Sequence, residues 1–554
     1  MKRGILTFIV FVFATLSVGC QVSRIDNLEL LGRLWGFLKY HHPAIGQGQY
    51  DWDAELFRFL PGYLEVTDLN QRDQQLLSWI KSYGEIPVCA TCKETPLDAY
   101  LKPDLDWIRE SNAGRELKSK VEEIYQNRHQ GKHHYIELAP WVMNPVFTNE
   151  KEYSEISYPD QSLRLLALYR YWNMVHYYYP SKYLTDKDWD TILREYIPVF
   201  LQADSELAYE LAALRLITEI NDSHAASFTG DQVIALKGDH FAPCQVQFVE
   251  NKLVVTDFYY SSLQEHCSLK VGDVLTQING ISIETLIDSL RNYYPASNDA
   301  ALKYNIAKDL LRSGNSHVDV KYIRDNQELE SVVTLYDQKT LAGNSTTQKD
   351  DTVKCFKLLD ERIGYITLET IREQDVSAIK EAFHHTEGII IDIRNYPSAF
   401  VPFLLGSYFV MERTPFVKFT RGNPDNPGEF TFLPPLVISP ARDPYPGKLI
   451  VIVNETSISQ AEYTAMAFKA GPNTTIVGST TAGADGNISP IILPGGLKTH
   501  ISGLGVYYPN GTRTQRVGIV PDVFIEPTIE GIKSGRDEVL EKAIEVIRQT
   551  GSQN

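Results

Sequence analysis

Trp35-Gly-Phe-Leu-Lys-Tyr-His-His-Pro43 returns later in the chain as Trp172-Asn-Met-Val-His-Tyr-Tyr-Tyr-Pro180. The same offset carries Asp51-Trp52-Asp53 onto Asp188-Trp189-Asp190, Leu56 onto Leu193 and Pro61 onto Pro198. One constant spacing over so many rare residues marks an internal duplication. Each copy reads as a helix, a turn broken by Pro, and a second helix. The aromatic residues then fill the space between helices; stacking against a sugar or peptide is the other use of such a set. This constrains the fold strongly, because helical units of this kind bury their apolar faces against one another. At 554 residues the chain also has room for two or three further domains.

The pattern changes along the chain. A polar helical stretch lies around residues 111–130, and residues 205–220 place Leu207, Leu211, Leu214 and Ile217 on one helical face. From about Phe241 short alternating strands take over. Leu269-Lys-Val-Gly-Asp-Val-Leu-Thr-Gln-Ile-Asn-Gly280 is a strand entered and left by tight turns. It resembles the central signature of a PDZ domain. The Gly-rich carboxylate-binding loop of such domains is not recognisable near Ala242-Pro-Cys-Gln-Val246. Capture of peptide ends by strand addition and an interdomain scaffold both remain open. In the last third, apolar strands at 363–368, 388–393, 449–453 and 475–477 alternate with helical patterns at 376–383 and 460–470. This predicts a partly parallel sheet covered by helices. The Pro-rich stretch 422–447 reads as a long surface loop near a cleft.

Fifty-three basic against seventy acidic residues give a net charge of −17, which argues against nucleic acid as a partner. Lys2 and Arg3 precede the apolar run 5–18, an export-signal pattern too short to span a bilayer comfortably. Leu16-Ser17-Val18-Gly19-Cys20 resembles a bacterial lipoprotein processing site. That resemblance implies a signal at 1–19, lipidation of Cys20, and a protein anchored in the cell envelope, in the periplasm or at the outer membrane. Cys89-Ala-Thr-Cys92 suits a local disulfide in an oxidising compartment; free thiols or half a metal site are the alternatives. No His/Glu cluster has metal-site spacing and no Gly loop precedes a helix suited to phosphate. The expectation is an enzyme without a metal or other cofactor.

Leu449-Ile-Val-Ile-Val-Asn-Glu-Thr-Ser-Ile-Ser-Gln-Ala-Glu462 reads as a buried strand, a turn and the start of a helix. Ser459 stands at a helix N-terminus, where unpaired N–H groups can stabilise an oxyanion. With Glu462 it also has the spacing of a capping box, so the residues alone leave capping and catalysis open. This segment, Asp392-Ile-Arg-Asn-Tyr-Pro-Ser-Ala399, Thr480-Thr-Ala-Gly483 and Gly518-Ile-Val-Pro-Asp522 resemble, in order, the landmarks of the C-terminal-processing/tricorn serine peptidases. The resemblance spans about 207–547 and implies Ser459 as nucleophile. Ala484 stands where the processing branch has its Lys, so a Ser–Lys dyad is not available there. The tricorn-like branch implies His224 as base, a fourth position held here by Gln515 instead of Glu, and Ser223 bridging the two. It also implies an oxyanion hole from the N–H groups of Gln460 and Ser398.

The expected architecture is multidomain α/β. Signal 1–19 precedes a helical domain at 20–235 carrying the duplication and the Ser-His segment. A PDZ-like β domain at 236–340 and an α/β peptidase core of ClpP/crotonase-like type at 355–550 follow. The expected function is Ser-His hydrolysis of peptides or unfolded protein segments in the bacterial envelope. The competing expectations are a weak or inactive peptide- or lipophile-binding protein on the same fold, and an assembly factor using the repeats and the PDZ-like edge.

Overall fold

The computed structural model describes residues 23–343 and 354–551. The expected signal 1–19 and Cys20 lie outside the described residues. No described helix is long and apolar enough to cross a membrane.

The N-terminal region is helical, with two small strands at Ile136–Leu138 and Pro145–Phe147. Its two central helices, Arg24–His41 and Gln161–Tyr178, are buried on nearly every face. Each runs into a Pro-marked turn and a second helix, Trp52–Leu64 or Trp189–Gln202. Asp51 and Asp188 cap those second helices, accepting from the N–H groups of Ala54 and Asp190. Within each unit two indoles exchange bonds. Trp35 Nε1 donates to Trp52 O at 3.4 Å and Trp52 Nε1 to Trp35 O at 3.0 Å. Trp172 and Trp189 do the same at 2.9 and 3.2 Å. The bonds satisfy the buried indole N–H groups and lock each helix pair.

The contacts between the two units are also reciprocal. Arg33 pairs with Asp190 at 2.9 Å, and Arg170 pairs with Asp53 at 3.0 Å. The central helices touch through the smallest residues of the first. Gly32 lies under Tyr169 and Gly36 under Asn173, whose Nδ2 donates to Gly32 O at 3.0 Å. A Cβ on Gly36 would stand 1.9 Å from the Asn173 carboxamide, inside a core with no room to shift. Gly36→Ala is therefore expected to destabilise this region by about 3 kcal/mol, although Ala is the better helix former. Urea unfolding followed by Trp fluorescence measures it; an unchanged midpoint would refute the close approach.

The middle region is an antiparallel sheet in the order Gln327–Thr334, His317–Arg324, Val274–Ile278, Lys252–Phe258, Cys244–Val249, with Ile281–Ser282 paired to the central strand. Gly272 opens the central strand's turn at φ +89°. The next residue, Asp273, is buried, accepts from Lys270 N–H at 2.7 Å, and binds the Arg324 guanidinium at 2.6 Å. The Gly-Asp dipeptide of the sequence signature thus has a local job: Gly makes the turn and Asp ties it across the sheet.

The C-terminal region holds a six-stranded sheet ordered Phe356–Asp360, Ile363–Thr367, Gly388–Asp392, Lys448–Val453, Thr474–Gly478, Val523–Phe524. Only the first pair is antiparallel. The runs Ile389–Ile391 and Leu449–Val453 are fully buried, as two-sided coverage by helices requires. The helix Glu538–Gly551 packs on one face of it, and Asp375–Phe383 and Gln460–Lys469 on the other. The stretch 422–447 differs from the expected surface loop. Phe430–Phe432 and Leu436–Ile438 pair with Thr414–Gly422, and the turn docks on the helical region. Arg128 and Gln130 donate to Asp425 O, and Gly428 N–H donates to Tyr177 O. Its prolines punctuate a hairpin rather than free a loop. Cys89 and Cys92 are joined as a disulfide close to the same contact.

Candidate active site

The strand Lys448–Val453 delivers the chain to a braced turn. Ser457 Oγ donates to Ile393 O at 2.7 Å, and the Asn454 carboxamide accepts from Thr456. Ser459 follows at φ 57°, ψ −117° and opens the helix Gln460–Lys469. A non-glycine residue in that region is strained by about 1–3 kcal/mol and persists only where its surroundings enforce it. A sharp, strained strand-to-helix turn is how a nucleophilic Ser is held out from the end of an α/β sheet. Capping is present too: Ser459 and Glu462 form the capping box, with Glu462 Oε2 accepting from Ser459 N–H at 3.3 Å.

The segment Thr481–Asp485 wraps this turn. Ala484 O accepts from Ser459 N–H at 2.9 Å, and Ala482 N–H donates to Ser457 O at 3.0 Å. Glu462, fully buried, accepts from Thr481 Oγ1 and from the N–H groups of Gly483 and Ala484. Burial raises its carboxyl to about 7 against the pull of these bonds. Where the processing branch would place a Lys, this chain therefore uses the backbone of Ala484 to hold the turn at Ser459.

The far side of the same segment holds the Ser-His pair. Ser223 Oγ donates to Ala482 O at 3.0 Å and accepts from Ser297 N–H at 2.9 Å. His224 Nδ1 is 2.8 Å from Ser502 Oγ, and its Nε2 is buried without a partner. Ser223, His224, Ile458, Ala482, Phe228 and Tyr294 are among the residues that line a cavity of about 680 Å³. Ser459 and Ser223 thus both bond one short strap, and Ser459 and His224 are not hydrogen-bonded to each other.

Two expected roles are corrected. Ser223 does not bridge His224 and Gln515, because its single hydroxyl proton goes to Ala482 O. Gln515 points instead at Tyr179, its Nε2 lying 3.4 Å from the phenol oxygen. Ser398 N–H is not a free oxyanion donor: it donates to Leu368 O at 3.0 Å, while Ser398 Oγ donates to Ile371 O at 2.6 Å. The turn after Leu368 passes close enough to supply both acceptors. Gln460 N–H, the other expected donor, has no acceptor among the described residues, and the Gln460 side chain holds Ala399 O at 2.9 Å. Sequence reasoning missed Asp222 as more than a neighbour of the Ser-His pair, and missed Ser502 altogether.

Residues 362–525 match the family model of peptidase family S41. The tricorn protease of Thermoplasma volcanium is 24% identical over 329 residues, covering 55% of this chain; the chain spans 28% of that relative's length. Mature CPAF in complex with lactacystin superposes with a TM-score of 0.56 at 15% identity, over 71% of this chain and 99% of that one. Mature CPAF alone gives 0.54 at the same identity. The resemblance to the C-terminal-processing/tricorn type is borne out, and the solved structures share the fold.

Proposed function

We propose that the chain is a serine-type peptidase that works by a Ser-His mechanism on peptides or unfolded segments. One observation carries this: a strained Ser459 at the strand-helix junction and Ser223, the neighbour of a His224 whose Nε2 has no partner among the described residues, are bonded to the same strap. Ser459 Oγ attacks the scissile carbonyl as His224 Nε2 takes its proton, and the imidazolium then protonates the leaving amine. Gln460 N–H, first in its helix, faces the developing oxyanion. A second donor appears only when the peptide at Ser398 turns away from Leu368 O. The middle sheet serves as a PDZ-like module, and the helical units are duplicated copies that cover the cavity. The protein is exported and held in the bacterial envelope by a lipid on Cys20. Peptide-library cleavage by the mature chain tests the reading; no cleavage across a broad library would overturn it.

The bonded Ser398 N–H and the neutral Gln515 favour one second reading, a peptide-binding protein that has kept the fold without turnover. The two separate on one experiment. Glycines at 398 and 399 restore the freedom to turn that peptide. Ser398→Gly with Ala399→Gly is expected to raise kcat about fivefold, the effect of about 1 kcal/mol of conformational cost removed. A pure binding protein would gain no turnover.

A further inference from the structure

We infer that Asp222, acting through Ser502, is the acid that positions His224, in the role that Gln515 cannot fill. This rests on the Ser-His reading above. Asp222 is fully buried and has no charged side chain hydrogen-bonded to it among the described residues, yet it accepts from three donors. It accepts from His224 N–H at 3.1 Å, from Ser502 N–H at 2.6 Å and from Ser502 Oγ at 2.9 Å. An ionised carboxylate only accepts, and a hydroxyl has one proton. Ser502 has spent its proton on Asp222, so at 2.8 Å it must accept from His224 Nδ1–H. The relay fixes the tautomer: Nδ1 carries the proton and Nε2 keeps its lone pair for Ser459.

The same geometry supplies charge. Asp222 Oδ1 lies 3.9 Å from His224 Nδ1, near enough to stabilise the imidazolium formed when Ser459 gives up its proton. The other titratable group that bears on this ring is His500. His500 lies two residues before Ser502 on the same strand and bonds Ser227 Oγ at 2.6 Å. Burial and His500 lower the His224 pKa, while Asp222 raises it.

The test compares Asp222→Asn, Ser502→Ala, Ser502→Thr and Gln515→Ala with wild type. It uses nitrogen-resolved NMR of the His224 ring together with kcat, KM and the pH profile on a cleaved peptide. A carboxamide at 222 can donate to Ser502 and reverse the relay, so Asp222→Asn should move the His224 proton to Nε2. That should lower kcat about 10³- to 10⁴-fold with little change in KM, the effect of a wrong tautomer. The acid limb of the residual rate should shift to lower pH, since the nearby negative charge is gone. Ser502→Ala should lower kcat about 10²-fold, Ser502→Thr should restore it, and Gln515→Ala should stay within about threefold. Retention of the Nδ1–H tautomer in both Asp222→Asn and Ser502→Ala would overturn the relay. A loss in Gln515→Ala equal to that in Asp222→Asn would also overturn it. If wild type cleaves no peptide, the peptidase reading falls and the ring spectra alone decide the relay. If Asp222→Asn does not fold, Ser502→Ala decides it in the same way.

Discussion

Ser459→Ala lowers kcat/KM by about 10⁴- to 10⁶-fold, and His224→Ala by a similar factor, since members of a catalytic unit fail together. The double variant is no worse than either single one. What remains is the contribution of binding and of the Gln460 N–H. The measurement is cleavage of a fluorogenic peptide beside unfolding midpoints that show each variant folded. Cleavage by Ser459→Ala at the wild-type rate would remove Ser459 from the mechanism. The strain at this residue gives a second readout that needs no substrate. At φ 57° and ψ −117° a glycine is relaxed where Ser is not. Ser459→Gly is therefore expected to stabilise the core by about 1 kcal/mol while abolishing activity. A nucleophile that costs stability in place is the mark of a position kept for chemistry.

The second large effect is acid lability of the helical region. His41, His42 and His133 are buried there, and burial is the leading cause lowering their pKa values, to about 3, 4 and 3. His176 is pushed down in the same way. Both nitrogens of His42 and Nε2 of His41 and His133 have no hydrogen-bond partner among the described residues. Above about pH 7.5 these rings are neutral folded or unfolded and contribute nothing to the pH dependence. Between pH 6.5 and 4 the unfolded chain takes up protons that the folded core refuses, so stability falls as pH falls. At pH 5 each of the three costs about 2 kcal/mol, about 6 in all, a large part of a typical domain's stability. All seven tryptophans lie between Trp35 and Trp189, so Trp fluorescence reports this region alone. Urea midpoints at pH 7.5 and pH 5 should differ strongly, and His42→Gln should remove about 2 kcal/mol of the difference. Equal midpoints would mean that these rings are solvated or paired.

Most of the architecture was legible in the chain. Alternation and apolar run length placed the strands 363–367, 388–392 and 448–453 within a residue of their observed ends. Ser205 capped its predicted helix, accepting from Ala208 N–H. Local rules suffice there because propensity and burial agree. They fail on Arg24–His41 and Gln161–Tyr178, where Lys39, Arg170 and Asn173 are inside the core with the Leu and Tyr residues. Their partners lie far along the sequence, and no periodicity announces them. The site divides in the same way. Ser459 and His224 sit in motifs, whereas Ser502 is an ordinary strand residue 278 positions from His224. It acquires a role only because the strand Leu497–Ser502 folds against the turn Ser223–Ala226. Ser398 and Gln515 were located by motif, but hydrogen bonds to distant residues decided what they touch.

The reciprocal pairs Arg33–Asp190 and Arg170–Asp53 are what a two-fold axis would generate between identical partners. A covalent link makes such a pairing intramolecular and so independent of concentration. It also releases the two halves from having to stay alike. The divergence is visible at matched positions: His42 ends its helix as a buried ring without a polar partner, whereas Tyr179 ends the other beside Gln515 and Ile220, a few residues ahead of His224. One half ends in a ring packed within the core, and the other ends against Ile220, at the head of the segment that carries Ser223 and His224.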